Sequence, residues 1–293
     1  EKIIHEFLVD QEPAVSAVSR ALREYRSGLS RQGGPIASFL FVGPTGVGKT
    51  ELSKILTKIQ FGEEKMMIRF DMSEYQNKES ISRFIGSADG KIAGALTEAV
   101  IQKPYSLILL DEFEKAHSDI LNLFLQVFDD GRLTDSLGRI VDFTNVIIIA
   151  TSNAHSNFIK ESIEAKKLME QIGEELKKKL TEYFKPELLN RFSQIVFFKN
   201  LSTNDIEAIT GLQLKSLAKT LEETHGISLD FDETIIKRIA ELGYDPVFGA
   251  RSLRGVISEK IRSVLAEKIL REEIIKGSGV KAILENGEIK FVS

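Results

Sequence analysis

Gly43-Pro44-Thr45-Gly46-Val47-Gly48-Lys49-Thr50 decides how the rest of this chain folds. The stretch is a G-x-x-x-x-G-K-T pattern. It is entered from the apolar run Ile36-Ala37-Ser38-Phe39-Leu40-Phe41-Val42 and left through Glu51-Leu52-Ser53-Lys54-Ile55-Leu56. That order predicts a buried strand, a tight loop and a helix. Gly43, Gly46 and Gly48 let the backbone turn so that its N–H groups converge on phosphate oxygens. The helix that follows offers unpaired N–H donors and the positive end of its dipole to the same anion. Lys49 adds a point charge at the β- and γ-phosphates, and the Thr50 hydroxyl is placed to join a Mg²⁺ shell. The expectation is a nucleoside triphosphate site.

A second cluster lies downstream. Ser106-Leu107-Ile108-Leu109-Leu110 is an apolar run that ends in Asp111-Glu112. Buried parallel strands read this way, and ligands of open α/β sheets gather at their carboxyl ends. Two adjacent acids there suit a Mg²⁺ ligand, Asp111, and a carboxylate that orients the attacking water, Glu112. A third buried strand, Asn145 to Thr151, is followed by Ser152-Asn153. Asn153 is either a turn residue or an amide that hydrogen-bonds a γ-phosphate or a lytic water.

Around these clusters the pattern alternates. Pro13 opens a helix whose apolar stripe is Ala14, Val15, Val18, Ala21, Leu22 and Tyr25. Met67 to Phe70 reads as a strand, and Asp71-Met72-Ser73-Glu74 suits the cap of the next helix. Gly86 to Ala95 is a glycine-rich exposed loop, Ser118 is expected to cap an amphipathic helix, and Gly131 to Asp142 is a β-hairpin with polar tips. His155 to Tyr183 is a charged helical region, followed by Arg191 between apolar neighbours. Its guanidinium finds either a local carboxylate or a phosphate of a neighbouring subunit.

The pattern changes beyond Asn200. Helices are expected from Ser202 or Thr203 to about Glu223, over Thr234–Leu242 and over Ser252–Glu273. A short strand pair follows around Asn286-Gly287. Arg251, in Phe248-Gly249-Ala250-Arg251, either faces solvent or reaches back to the nucleotide. The expected fold class is α/β: a phosphate-loop parallel-sheet domain over 1–200, then a small, mostly helical lid domain with a terminal β element over 201–293.

Composition narrows the function further. The 293 residues carry a net charge of −4, which speaks against a nucleic-acid-binding surface. The absence of cysteine excludes disulfides and thiolate metal sites and agrees with a cytoplasmic setting. No apolar run approaches the ~20 residues needed to span a bilayer. The four histidines are scattered and no G-x-S-x-G elbow occurs, so neither a histidine metal site nor a Ser–His–Asp hydrolase is expected. The start at Glu1-Lys2-Ile3-Ile4 has no initiator Met and no signal-peptide pattern, as expected of a piece of a longer polypeptide.

With these residues in place, the chain resembles the AAA+ ATPases of the Clp chaperone family, in particular the second, C-terminal ATPase module of ClpB- and ClpC-like unfoldases. The likeness runs from about Val9 to the C-terminus. It rests on Gly43–Thr50 as Walker A, Leu107–Glu112 as Walker B, Glu114-Lys115-Ala116-His117 and Asp129-Asp130-Gly131-Arg132-Leu133-Thr134-Asp135. Thr151-Ser152-Asn153, Asn190-Arg191 and Gly249-Ala250-Arg251 complete it.

The resemblance implies ATP or ADP with Mg²⁺, and a homo-hexameric ring that threads protein substrates through a central pore. It implies that Asn153 is sensor 1, Arg191 an arginine finger acting in trans and Arg251 sensor 2. It places Leu8 and Val9 at the adenine pocket, where a glycine common just after them is Asp10 here, and Glu51 beside the phosphate loop. The family's substrate-gripping loop usually has a Gly-Tyr-Val-Gly core. Here Gly90-Lys91-Ile92-Ala93-Gly94 stands in its place without an aromatic residue, so the grip falls to Lys91 or Ile92. Docking on a peptidase ring uses an Ile/Leu-Gly-Phe/Leu tripeptide in this family. Ile172-Gly173-Glu174 lacks the third apolar residue, so a protease partner is not favoured. Three alternative readings remain: a nucleotide-gated assembly module that does not thread, the ATPase subunit of a Clp protease, and a nucleic-acid motor, which the acidic balance disfavours.

Overall fold

The computed structural model describes residues 1–29, 33–165, 167, 169–245, 249–285 and 287–292. Contacts divide it into two compact units. The first comprises Glu1–Pro44 and Gly48–Lys199, the second Thr45–Val47 and Asn200–Ser293.

The first unit is built on five parallel strands. They are β1 (Ala37–Val42), β2 (Met67–Asp71), β3 (Leu107–Asp111), and, beyond the short hairpin strands β4 (Arg132–Thr134) and β5 (Ile140–Asp142), β6 (Ile147–Ser152) and β7 (Gln194–Phe197). Their order in the sheet is β2-β3-β6-β1-β7. Every residue of β1, β3 and β6 is buried, which explains why these strands read as continuous apolar runs rather than alternations. The register aligns the carboxyl ends: Asp71 pairs with Asp111, and Val42 with Ser152. The phosphate loop, the acid pair and Asn153 therefore leave the sheet at one edge.

The helix Ser118–Asp130 buries Ile120, Leu121, Phe124, Val127 and Phe128. Phe124 meets Phe113 with ring centroids 5.3 Å apart, and Phe128 meets Phe192 at 4.9 Å. Such aromatic pairs contribute about 0.5–1.5 kcal/mol each beyond their burial. With 18 phenylalanines and no tryptophan, this core is filled by rings that need no hydrogen-bond partner. The turn around Phe113 is thereby anchored close behind Glu112. The charged region after His155 folds as helices Ser156–Glu164 and Met169–Lys179, and Ile172 lies fully buried within the second.

The second unit is helical with a small sheet. The helix Thr203–His225 starts at a Ser202–Asp205 capping box and stops at Gly226. Asp232 caps the helix Glu233–Gly243. Two expectations need correction. The stretch anticipated as one helix from Ser252 to Glu273 runs as Leu253–Ile257, a π-helical turn Ser258–Arg262 and Ser263–Leu270. Its end comes early because Glu272 takes a left-handed conformation, φ 60°. The β element is larger than a terminal pair. The strand β8 (Ser228–Phe231) joins β9 (Gly279–Glu285) in parallel, and β10 (Glu288–Val292) closes the sheet antiparallel. Phe248 and Asn286, named above, lie outside the described residues.

Candidate functional site

The phosphate loop is shaped by contacts that only glycine permits. A Cβ on Gly43 would lie 2.6 Å from the Phe198 carbonyl oxygen. Gly48 holds φ 108° at the N-cap of the helix Lys49–Phe61, and a Cβ there would come within 3.0 Å of Leu8 Cδ1. Leu8, itself buried, thus packs against the loop from the chain's N-terminal segment. That segment is fixed by reciprocal bonds between the Gln11 side chain and the Lys199 backbone, at 3.0 and 3.1 Å. Asp10 adopts φ 58°, a conformation glycine reaches without strain.

Lys49 is 8% exposed. Its Nζ donates to the carbonyls of Gly43 (2.5 Å) and Pro44 (2.7 Å) and to Asn153 Oδ1 (2.8 Å). Burial lowers its pKa to about 8, and the charges of Glu114, Asp111 and Glu112 oppose that shift. The cation therefore has acceptors that can exchange for phosphate oxygens. Thr50 and Glu51 follow it in the first turn of the helix.

Asp111 is also buried, and both its oxygens are engaged. Arg69 Nε donates to Oδ2 at 2.6 Å, and Thr151 Oγ1 donates to Oδ1 at 2.9 Å. Glu112 adopts φ 54° and ψ 48°, a left-handed conformation that costs a non-glycine residue roughly 1–2 kcal/mol. Its N–H donates to Thr151 Oγ1 at 3.3 Å. The Asn153 N–H donates to Glu114 Oε1 at 3.1 Å. Lys49 and Asn153, and Asp111 and Glu112, thus form two hydrogen-bonded groups that make one cluster at the carboxyl edge of the sheet, where both acids act on the Lys49 charge. Arg69, Thr151 and Glu114 belong to that cluster, although their roles were not assigned from sequence. Arg69 stands two residues before the β2 strand end, on the face it shares with Asp71, and that alternation alone does not single out Asp111 as its partner.

Other expected site residues lie elsewhere. Within one chain Arg191 makes local ion pairs: Nε donates to both Asp129 oxygens (3.1 and 3.0 Å), and a terminal nitrogen lies 3.5 Å from Glu187. Arg251 is exposed in the second unit. The loop carrying Lys91 and Ile92 is closed by its own hydrogen bonds. Ser87 N–H donates to the Ile92 carbonyl, Ile92 N–H to Ser87 Oγ, and Lys91 N–H to Asp89 Oδ1. Ile92 is 45% exposed at its surface.

The family model described as AAA domain (Cdc48 subfamily) matches residues 34–195, more than half of the chain. The chain belongs to the AAA family. In this AAA ATPase module a second model, the C-terminal D2-small domain of ClpB protein, matches residues 201–282. The two matches in series agree with a Clp-family C-terminal ATPase module, as the motifs implied. The chaperone protein ClpB of Vibrio vulnificus (strain YJ016) is 45% identical over 293 residues, covering 99% of this chain and 34% of the relative. That of Aquifex aeolicus (strain VF5) is 46% identical over 306 residues, covering 100% and 30%. The "ATP-dependent Clp protease ATP-binding subunit ClpA homolog" of Trieres chinensis is 42% identical over 325 residues, covering 99% and 37%. The chain spans about a third of the length of the curated relatives it matches. No helix among the described residues is long and apolar enough to cross a membrane.

Proposed function

We propose that this module hydrolyses ATP within a homo-oligomeric ring and couples hydrolysis to the remodelling or threading of protein substrates. The observation that carries this is the Lys49–Asn153–Glu114 chain beside Asp111 and Glu112, next to a glycine loop into which side chains do not fit. Lys49 exchanges its carbonyl partners for β- and γ-phosphate oxygens, and the N–H groups of the Gly43–Thr50 loop and helix start bind the remainder. Glu112 orients the attacking water, and Asn153, released by Lys49, turns its amide to the γ-phosphate or that water. Leu8 and Val9 line the adenine pocket. Arg191 serves a neighbouring subunit, and Arg251 keeps the sensor 2 role that the resemblance implies.

Thr50 and Asp111 offer the hard oxygen donors that Mg²⁺ takes, and no group of three or more His, Cys, Asp or Glu among the described residues could hold a metal alone. When bound with the nucleotide, Mg²⁺ would neutralise charge on the phosphates.

The closed, non-aromatic loop around Lys91 and Ile92 favours a second reading, a nucleotide-gated assembly module that does not thread. ATP turnover by the full-length assembly, measured with and without an unfolded protein, separates the two. Stimulation of about twofold or more, lost on joint K91A/I92A substitution, is the expected result. Turnover indifferent to unfolded protein supports the assembly module instead.

A further inference from the structure

Glu114 has no part in the chemistry above, yet it sits inside the cluster. It belongs to the short turn Phe113–Lys115 that begins at the left-handed Glu112. Two hydrogen bonds join this turn to the end of β6. Glu112 N–H reaches Thr151 Oγ1, and Glu114 Oε1 accepts the Asn153 N–H. Asn153 lies just past the last paired residue of β6, where the ladder to β1 has ended at Ser152. Its backbone amide therefore takes its direction from the Glu114 carboxylate rather than from the sheet. The second Glu114 oxygen, Oε2, is buried without a hydrogen-bond partner. A carboxylate turned inward with one oxygen unpaired makes poor packing for its own sake. What it achieves is a fixed spacing: the turn starts from the water-orienting Glu112, and Glu114 within it holds the backbone of Asn153, whose side-chain amide reads the phosphate.

We propose that Glu114 is a positioning residue that sets Asn153 relative to Glu112, so that amide and carboxylate meet one γ-phosphate in register. The inference rests on the roles given above to Asn153 and Glu112. Displacement of a catalytic group by about 1 Å can cost on the order of a hundredfold in rate.

The test is steady-state ATP turnover and ADP affinity in the full-length assembly for Glu114→Leu, Glu114→Gln, Asn153→Ala and the Leu/Ala double variant. Leucine keeps the volume and removes the acceptor, while glutamine keeps an oxygen for the Asn153 N–H. The expected result is that E114L lowers kcat roughly tenfold to a hundredfold, with KM for ATP and Kd for ADP within about threefold of wild type. E114Q should stay within about threefold of wild type, and the double variant should be no slower than N153A alone. An E114Q as slow as E114L, effects of E114L and N153A that multiply, or an E114L with normal kcat overturns the proposal. Should E114L fail to bind ADP, Glu114→Ala replaces it under the same criteria, and the E114Q outcome stands regardless. Wild-type turnover in N153A would instead reject the role assigned to Asn153 itself.

Discussion

Lys49 carries a buried charge whose partners in the free protein are two carbonyls and one amide. Burial depresses its pKa from 10.5 to about 8, so the folded state disfavours the ammonium relative to the unfolded chain. Below pH 8 both states are protonated and the penalty is felt in full. Between about pH 8 and 10.5 the unfolded chain binds a proton that the folded one has released, so stability rises with pH through that window. Urea unfolding of the nucleotide-free protein should therefore show Lys49→Met losing its advantage over wild type as pH climbs from 7.5 to 10. A difference that stays constant with pH would contradict the buried, destabilised cation. At this scale the residue types were legible because phosphate chemistry demands them. Arg69 was not, since nothing in a strand's alternation tells which carboxylate its guanidinium meets across the sheet. Thr151 stood in view within Thr151-Ser152-Asn153, but its two hydrogen bonds, donated to Asp111 and accepted from the Glu112 N–H, depend on the β3–β6 pairing.

The strands and helices that carry the site were legible for a physical reason: parallel strands buried on both faces announce themselves as apolar runs, and glycines punctuate their ends. The elements that escaped are short or interrupted. The four residues of β8 alternate polar and apolar, a weak signal beside a 23-residue helix. A π-helical turn inside Leu253–Leu270 leaves the hydrophobic period almost unchanged, so the interruption is invisible in sequence. The β4–β5 hairpin was expected, but its tether was not. Asp135 is buried and accepts the N–H groups of Leu137 (2.9 Å) and Arg139 (2.8 Å) and the Arg139 Nε (2.7 Å). Arg139 bonds Glu98 in turn, and Ser136 reaches the backbone of Ile85 and Gly86. Asp135→Ala leaves two N–H groups and a guanidinium without their acceptor. The expected cost is about 1–3 kcal/mol in denaturant unfolding, against under ~0.5 kcal/mol for an exposed hairpin substitution such as Leu137→Ala. Equal effects at the two positions would show that the tether contributes nothing.

Over the whole molecule the register of β3, β6 and β1 brings distant stretches of sequence to one edge, which turns three motifs into a single site. What one chain leaves open is the guanidinium that would neutralise charge on the γ-phosphate. Arg191 is paired with Asp129 and Glu187 here, and in the proposed trans role a partner subunit's phosphate would have to compete with them. Arg191→Ala should leave ATP affinity within about threefold, yet slow turnover of the assembly by roughly 10³–10⁵, the range for arginine fingers. Unchanged turnover in the assembled protein would leave Arg191 only its local ion pairs. Single-turnover conversion of bound ATP in wild type and Glu112→Gln decides whether the phosphate loop and the Asp111–Glu112 strand end act on one triphosphate. The variant should retain ATP as tightly as wild type while conversion slows by about 10²–10⁴. A Glu112→Gln protein that converts bound ATP at the wild-type rate would contradict that joint action.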